Sequence, residues 1–99
     1  AIQSFKCPDT ARLFERQQVC RWRTIDVVAL RKLRLLHAAH VLMDLRVPPG
    51  NRLEALRGDR KGQHSIRVND QWRVCFVWAA NGPAEVEIVD YHDTRIRNR

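Results

Sequence analysis

The sequence predicts an α+β fold in which N-terminal helices pack on one face of a small antiparallel β-sheet. Two observations carry this. Ile25, Ala29, Leu33 and Leu36 recur at helical spacing, one buried stripe in the first half of the chain. After Pro48-Pro49-Gly50 the apolar period drops to two, and turn residues separate short runs.

Ile2 to Cys7 reads as a short strand. Pro8 starts a turn, and Asp9 or Thr10 is placed to cap a helix reaching about Gln18, with Ala11, Leu13 and Phe14 inward. Thr24 is the expected N-cap of the main helix, which runs to about Ala39. Arg23, Arg31 and Arg34, with Lys32 beside them, fall off its apolar stripe. A solvated face or a nucleic-acid contact both fit them. Val41 to Leu45 adds a short turn of helix.

Leu53 to Leu56 begins the first strand of the sheet, and Gly58 to Gly62 forms a loop bounded by glycines. Ile66 and Val68 alternate with Ser65, Arg67 and Asn69, and Asn69-Asp70 supplies a tight turn. Trp72, Val74, Phe76 and Trp78 then alternate with Arg73, Cys75 and Val77 on the opposite face. Asn81-Gly82-Pro83 turns the chain again, and Glu85 to Tyr91 is the last strand. Residues 1–92 are expected to form one domain, with 93–99 a basic tail.

The 99 residues exclude barrel enzymes and two-domain nucleotide-binding enzymes. No apolar run is long enough for a membrane span, and Ala1 to Lys6 lacks a secretion-signal core, so a cytoplasmic protein is expected. Cys7, Cys20 and Cys75 are widely spaced and form no CxxC pair, which fits reduced thiols. The net charge is +7, and the excess is carried by 15 arginines against 3 lysines. Arginine's planar fork pairs bidentately with phosphate and stacks on bases, so a polyanionic partner is expected. An acidic protein partner is the alternative.

Glycine-rich phosphate loops are absent. His37 and His40 lie at i, i+3 without a nearby acidic or thiol partner, so ordinary helix packing accounts for them better than a metal. The informative polar groups lie on the sheet. Arg73 interrupts an apolar strand, and Asp90, Tyr91 and His92 close the last one. A meander brings Arg73 toward that end, either into a functional cluster or into a salt bridge with Asp90.

The run from Asn51 to Phe76 (NRLEALRGDRKGQHSIRVNDQWRVCF), the ending Val89-Asp90-Tyr91-His92 and the opening Ile2-Gln3-Ser4-Phe5 together resemble the HigB family of bacterial toxins, GraT-like toxins included, within the RelE-like superfamily. The resemblance covers residues 1–92, with the motifs in order. It implies a cytoplasmic, metal-independent endoribonuclease that cuts mRNA in the ribosomal A site and uses no cofactor. It also implies a HigA-like helix-turn-helix antitoxin as partner, 70S ribosome and mRNA as targets, contact with operator DNA only through the antitoxin, and no membrane. Arg73 matches the family's phosphate-stabilising arginine; Asp90, Tyr91 and His92 match its functional C-terminal residues. Which of them is base and which is acid stays open. Arg60, Lys61 and Arg67, with Arg31 and Arg34 on the helix, are the expected RNA or ribosome contacts.

Two positions depart from the family pattern. Glu54 and Arg57 stand where close members carry a histidine and a lysine. Glu54 suits a general base or signals lower activity, and Arg57 suits charge stabilisation because arginine hardly donates protons at neutral pH. A second reading follows: a weakly active or degenerate toxin acting mainly as an antitoxin-binding co-regulator of its operon. Glu54 favours it, while Arg73 and Asp90-Tyr91-His92 oppose it. A generic basic RNA-binding domain is a third.

Overall fold

Pro8 opens the first helix, α1 (Pro8–Phe14), in the computed structural model, which describes residues 1–90. Cys7, not Asp9 or Thr10, is the residue that flanks it. A residue before proline is pushed into extended backbone, as Cys7 is at φ −115°, so the helix must start at Pro8. The helix ends about a turn before Gln18. Arg16 takes a left-handed conformation at φ 66°. Its N–H donates to the Leu13 carbonyl at 2.9 Å, and the Gln17 N–H donates to that of Arg12 at 2.9 Å. This is the Schellman pattern, with arginine where glycine is the usual sequence signal.

The main helix, α2, spans Asp26–Ala38, flanked by Ile25 rather than Thr24. Asp26 places a negative charge in its first turn, which suits the helix dipole. Ile25, Ala29, Leu33 and Leu36 are buried as the periodicity requires. Lys32 lies on the same stripe and is buried too, in contrast to its expected place beside Arg31 and Arg34. The chain then makes short 3-10 turns at Leu42–Arg46 and Pro49–Asn51. The N–H groups of His40 and Val41 donate to Asp44, and these bonds hold its carboxyl below the ordinary aspartate range.

Four antiparallel strands follow in the order β1 (Glu54–Ala55), β2 (His64–Arg67), β3 (Trp72–Ala79) and β4 (Gly82–Asp90). The Asn69 side-chain oxygen accepts from the N–H groups of Gln71 and Trp72, which fixes the β2–β3 turn. The expected N-terminal strand is reduced to a parallel bridge between Phe5 and Val86 against β4. The Ile2 N–H donates to Nδ1 of His37 at 3.1 Å, so that histidine ties the N-terminus to α2.

Alternation divides the sheet into two chemically different faces. Ile66, Val68, Val74, Phe76, Val86 and Ile88 pack with Leu13, Trp22, Leu33 and Leu36 in the core between sheet and helices. Residues one step out of phase, Ser65, Arg67, Arg73 and Cys75, belong to the face turned away from the helices. Two helices on a four-stranded antiparallel sheet is the architecture expected from the sequence. Among the described residues no helix is long and apolar enough to cross a membrane.

Candidate active site

Register brings the polar residues of the outer face into rows. Glu54 pairs with Ser65, Ser65 with Cys75, and Cys75 with Glu87; Arg67 pairs with Arg73, and Arg73 with Val89. Side chains at paired positions share a face and lie within contact range. Arg73 therefore emerges beside Ser65, Arg67 and Glu54.

Arg73 is 6% exposed. A guanidinium buried to that extent needs acceptors. Its Nε donates to Ser65 Oγ at 2.8 Å, and one Nη donates to the Arg52 carbonyl at 2.6 Å. The same Nη lies 3.8 Å from a Glu54 carboxylate oxygen, and Glu54 is half exposed. Arg52 supplies its carbonyl from a left-handed conformation, φ 47° and ψ 56°, directly after the Pro49–Asn51 turn. Among the described residues the guanidinium is thus held by two neutral acceptors, with the Glu54 carboxylate beside it. Arg67, across from it, pairs with Asp70. Two arginines at paired positions of adjacent strands repel each other, and an anion between them would relieve that repulsion.

The loop after β1 adds further cations. Arg57 and Lys61 are exposed on it. Arg60 is half buried: it pairs with Glu87 at 3.0 Å and donates to Gln63 at 3.1 Å. Lys6 approaches Glu87 at 3.7 Å from the N-terminal segment. Cys75 sits under this row with its thiol pushed up to about 11, chiefly by burial. It is therefore a neutral thiol and no nucleophile at physiological pH.

Asp90 lies apart from this group. Its register partner is Trp72, so it belongs to the opposite sheet face from Arg73, and Gln71 donates to its carboxylate at 3.3 Å. Among the described residues Arg73 takes Glu54 as an ion-pair partner, where the sequence left open a functional cluster or a salt bridge with Asp90. Tyr91 and His92 lie outside the described residues. Arg31 and Arg34 are exposed on α2, in the layer on the other side of the sheet. With Arg16, Val27, Leu30 and Leu35 they line an open groove of about 450 Å³.

Sequence reasoning missed Ser65, Asn51 and Lys32. Ser65 was within reach, because pairing β2 with β3 about the Asn69-Asp70 turn sets it diagonal to Arg73. Nothing in the local pattern marks the other two. Lys32 Nζ donates to Asn51 Oδ1 at 2.6 Å, and the Asn51 amide donates to the Leu45 carbonyl at 3.1 Å and that of Val47 at 3.4 Å. Burial, helped by Arg31 and Arg67, holds the Lys32 ammonium below its ordinary pKa. Among the described residues no three His, Cys, Asp or Glu side chains are grouped to hold a metal.

A small antiparallel sheet with helices packed on one face is a fold found in solved structures. The crystal structure of YafQ from Escherichia coli BL21(DE3) superposes with a TM-score of 0.63 over 95% of this chain and 96% of that one, at 15% identity, a likeness of fold. The family model for the RelE-like HigB toxin of type II toxin–antitoxin systems matches residues 3–92, and the chain belongs to that family. Toxin HigB-1 of Vibrio cholerae serotype O1 is 48% identical over 69 residues, 70% of this chain and 72% of that protein. An uncharacterised Haemophilus influenzae protein is 41% identical over 54 residues, 54% of each chain. Membership makes the chain a toxin with an antitoxin partner, in a superfamily whose toxins are generally endoribonucleases.

Proposed function

We propose that the chain is a ribosome-dependent mRNA endoribonuclease that stops translation by cutting mRNA in the ribosomal A site, and that a HigA-like helix-turn-helix antitoxin neutralises it. The observation that carries this reading is the desolvated Arg73 guanidinium, held by Ser65 and the Arg52 carbonyl with the Glu54 carboxylate beside it. A fixed cation next to a carboxylate on an open polar face is the pair that phosphodiester cleavage by a neighbouring hydroxyl requires.

In this mechanism the 2′-oxygen attacks the adjacent phosphorus while Glu54 accepts its proton. The phosphorus gains an oxygen ligand, Arg73 stabilises the added negative charge, and the bond to the 5′-oxygen breaks. A 2′,3′-cyclic phosphate and a 5′-hydroxyl result, the latter taking a proton from His92. The nucleophile belongs to the RNA, so no metal-activated water and no cofactor is called for. Glu54 is preferred over Asp90 as base because it shares the face of Arg73. Tyr91 stacks on a base, and Asp90 orients His92. Arg57 stabilises charge, and Arg60, Lys61, Arg67, Arg31 and Arg34 contact RNA or ribosome. Residues 1–92 form the toxin domain, the 93–99 tail adds basic charge, and the protein acts in the ribosome's compartment, the cytoplasm. Operator DNA is met only through the antitoxin.

The Glu54–Arg73 ion pair favours one other reading, a weakly active toxin that serves mainly as antitoxin-binding co-regulator, since a carboxylate beside Arg73 opposes phosphate approach. Incubating purified protein with an mRNA, alone and programmed on 70S ribosomes, separates the two. Cleavage only with ribosomes supports the enzyme; intact mRNA in both, from protein that binds antitoxin, supports the co-regulator.

A further inference from the structure

Arg73 is anchored through a carbonyl that belongs to no strand or helix. Arg52 lies between the Pro49–Asn51 turn and β1, in a left-handed conformation that arginine adopts at a cost. Something must hold that peptide in place. The Arg52 N–H donates to the Pro49 carbonyl at 3.1 Å, and the Asn51 N–H to that of Pro48 at 2.9 Å, but both bonds stay within the turn. Leu53 packs against the core on one side of Arg52, and on the other side the polar tie to the rest of the molecule is the Asn51 side chain. It is fully buried, spans the Leu45 and Val47 carbonyls with its amide, and accepts from Lys32 at 2.6 Å. Lys32 in turn is fixed in α2, the longest helix, on its buried stripe.

A continuous polar path therefore runs from the helical layer to the opposite sheet face: Lys32, Asn51, the Arg52 carbonyl, Arg73. Its two hydrogen bonds are 2.6 Å each and are joined by the Asn51–Arg52 peptide link; Lys32, Asn51 and Arg73 are buried, and Arg52 is exposed. A buried ammonium is an expensive way to brace a turn when an apolar side chain would fill the space. A charged donor does what an apolar residue does not: it fixes Asn51 in one orientation and so aims the next carbonyl.

We propose that Lys32 and Asn51 are positioning residues for mRNA cleavage, acting on the Arg73 guanidinium through the Arg52 carbonyl. The proposal rests on the cleavage reading given above. It makes the charge on α2 part of the site's geometry, although neither residue touches RNA.

The test compares wild type with Lys32→Met, alone and combined with Arg73→Ala. Four readouts are used: cleavage of mRNA on programmed 70S ribosomes, antitoxin affinity, solvent exchange of the Arg73 Nε–H by NMR, and amide protection in β3. Lys32→Met is expected to lower kcat about tenfold to hundredfold, because small misplacements of a charge-stabilising group are costly, with KM within about twofold. In the Arg73→Ala background it should change residual cleavage by less than about twofold, since the two act as one unit. The Arg73 Nε–H should exchange faster by about tenfold while β3 amides keep their protection. Unchanged kcat and unchanged Nε–H exchange overturn the proposal. So do losses that add to those of Arg73→Ala, or that come with reduced antitoxin affinity and β3 protection, which mark a merely structural role. If wild type cleaves nothing, the cleavage reading fails, and Nε–H exchange alone decides whether Lys32 holds Arg73. Should Lys32→Met fail to fold, Asn51→Ser, which withdraws the acceptor from Lys32, carries the same measurements.

Discussion

Arg73 and Glu54 meet on the sheet face turned away from the helices, 3.8 Å apart, with Ser65 of the intervening strand bonded to the guanidinium. Arg73 is buried and fixed, and Glu54 is half exposed and held by the same cation. One partner is built to stay in place and the other to face whatever binds.

That asymmetry sets the first expectation. With Glu54 as general base, Glu54→Gln lowers kcat by about 100-fold. Single-turnover cleavage on programmed ribosomes measures it. A gain in activity would instead mean that Glu54 only blocks the phosphate, which is the weak-toxin reading.

The Lys32–Asn51 bond sets the second. Asn51→Ala leaves a buried ammonium, the buried Leu45 carbonyl and the part-buried Val47 carbonyl without their partner and is expected to cost about 3 kcal/mol in urea denaturation. The pH dependence follows from the depressed Lys32 pKa. Between the lowered folded value and the ordinary 10.5, the unfolded chain binds more protons than the folded one, so stability gains with rising pH. Wild type should therefore improve relative to Lys32→Met as pH rises through that window.

Cys75 gives a third. Its thiol pKa is raised from 9.0 to about 11, so the folded chain retains a proton that the unfolded chain loses. Stability from this group is complete below pH 9.0 and falls as pH rises toward 11. A disulfide reagent at pH 8 should label exposed Cys20 rapidly and leave Cys75 unmodified until urea unfolds the chain. Mass mapping of the labelled cysteines checks this.

The arginines of α2 give a fourth. They lie in the helical layer, on the far side of the sheet from Arg73, so under the proposed function they are expected to add ribosome affinity rather than chemistry. Arg31→Glu with Arg34→Glu should raise KM several-fold at constant kcat and flatten the salt dependence of binding by about 0.7 in log–log slope per lost phosphate contact. Titrating KM against salt separates this from a fall in kcat.

Much of this was legible in the chain. The period-two runs set the sheet and its faces, because one face had to be apolar and a one-residue slip would bury Arg67 against the helices. The α2 stripe followed from spacing alone. What failed to show was chemistry that depends on long-range packing. Lys32 reads as one more surface cation until Asn51, remote in sequence, is known to receive it. The end of α1 is hidden because Arg16 takes a conformation that sequence assigns to glycine. Asp90 and Arg73 look adjacent at the ends of paired strands, yet the register sets them on opposite faces. Ser65 stands between these cases, since correct strand pairing finds it.

The most direct measurement of the central claim is primer-extension mapping of an mRNA on programmed 70S ribosomes with wild type and Arg73→Ala, both shown to be folded and to bind antitoxin. The account expects wild type to cut within the A-site codon and Arg73→Ala to cut at least about 100-fold more slowly, the scale of losing a preorganised charge-stabilising donor. Equal cleavage by both proteins would contradict it.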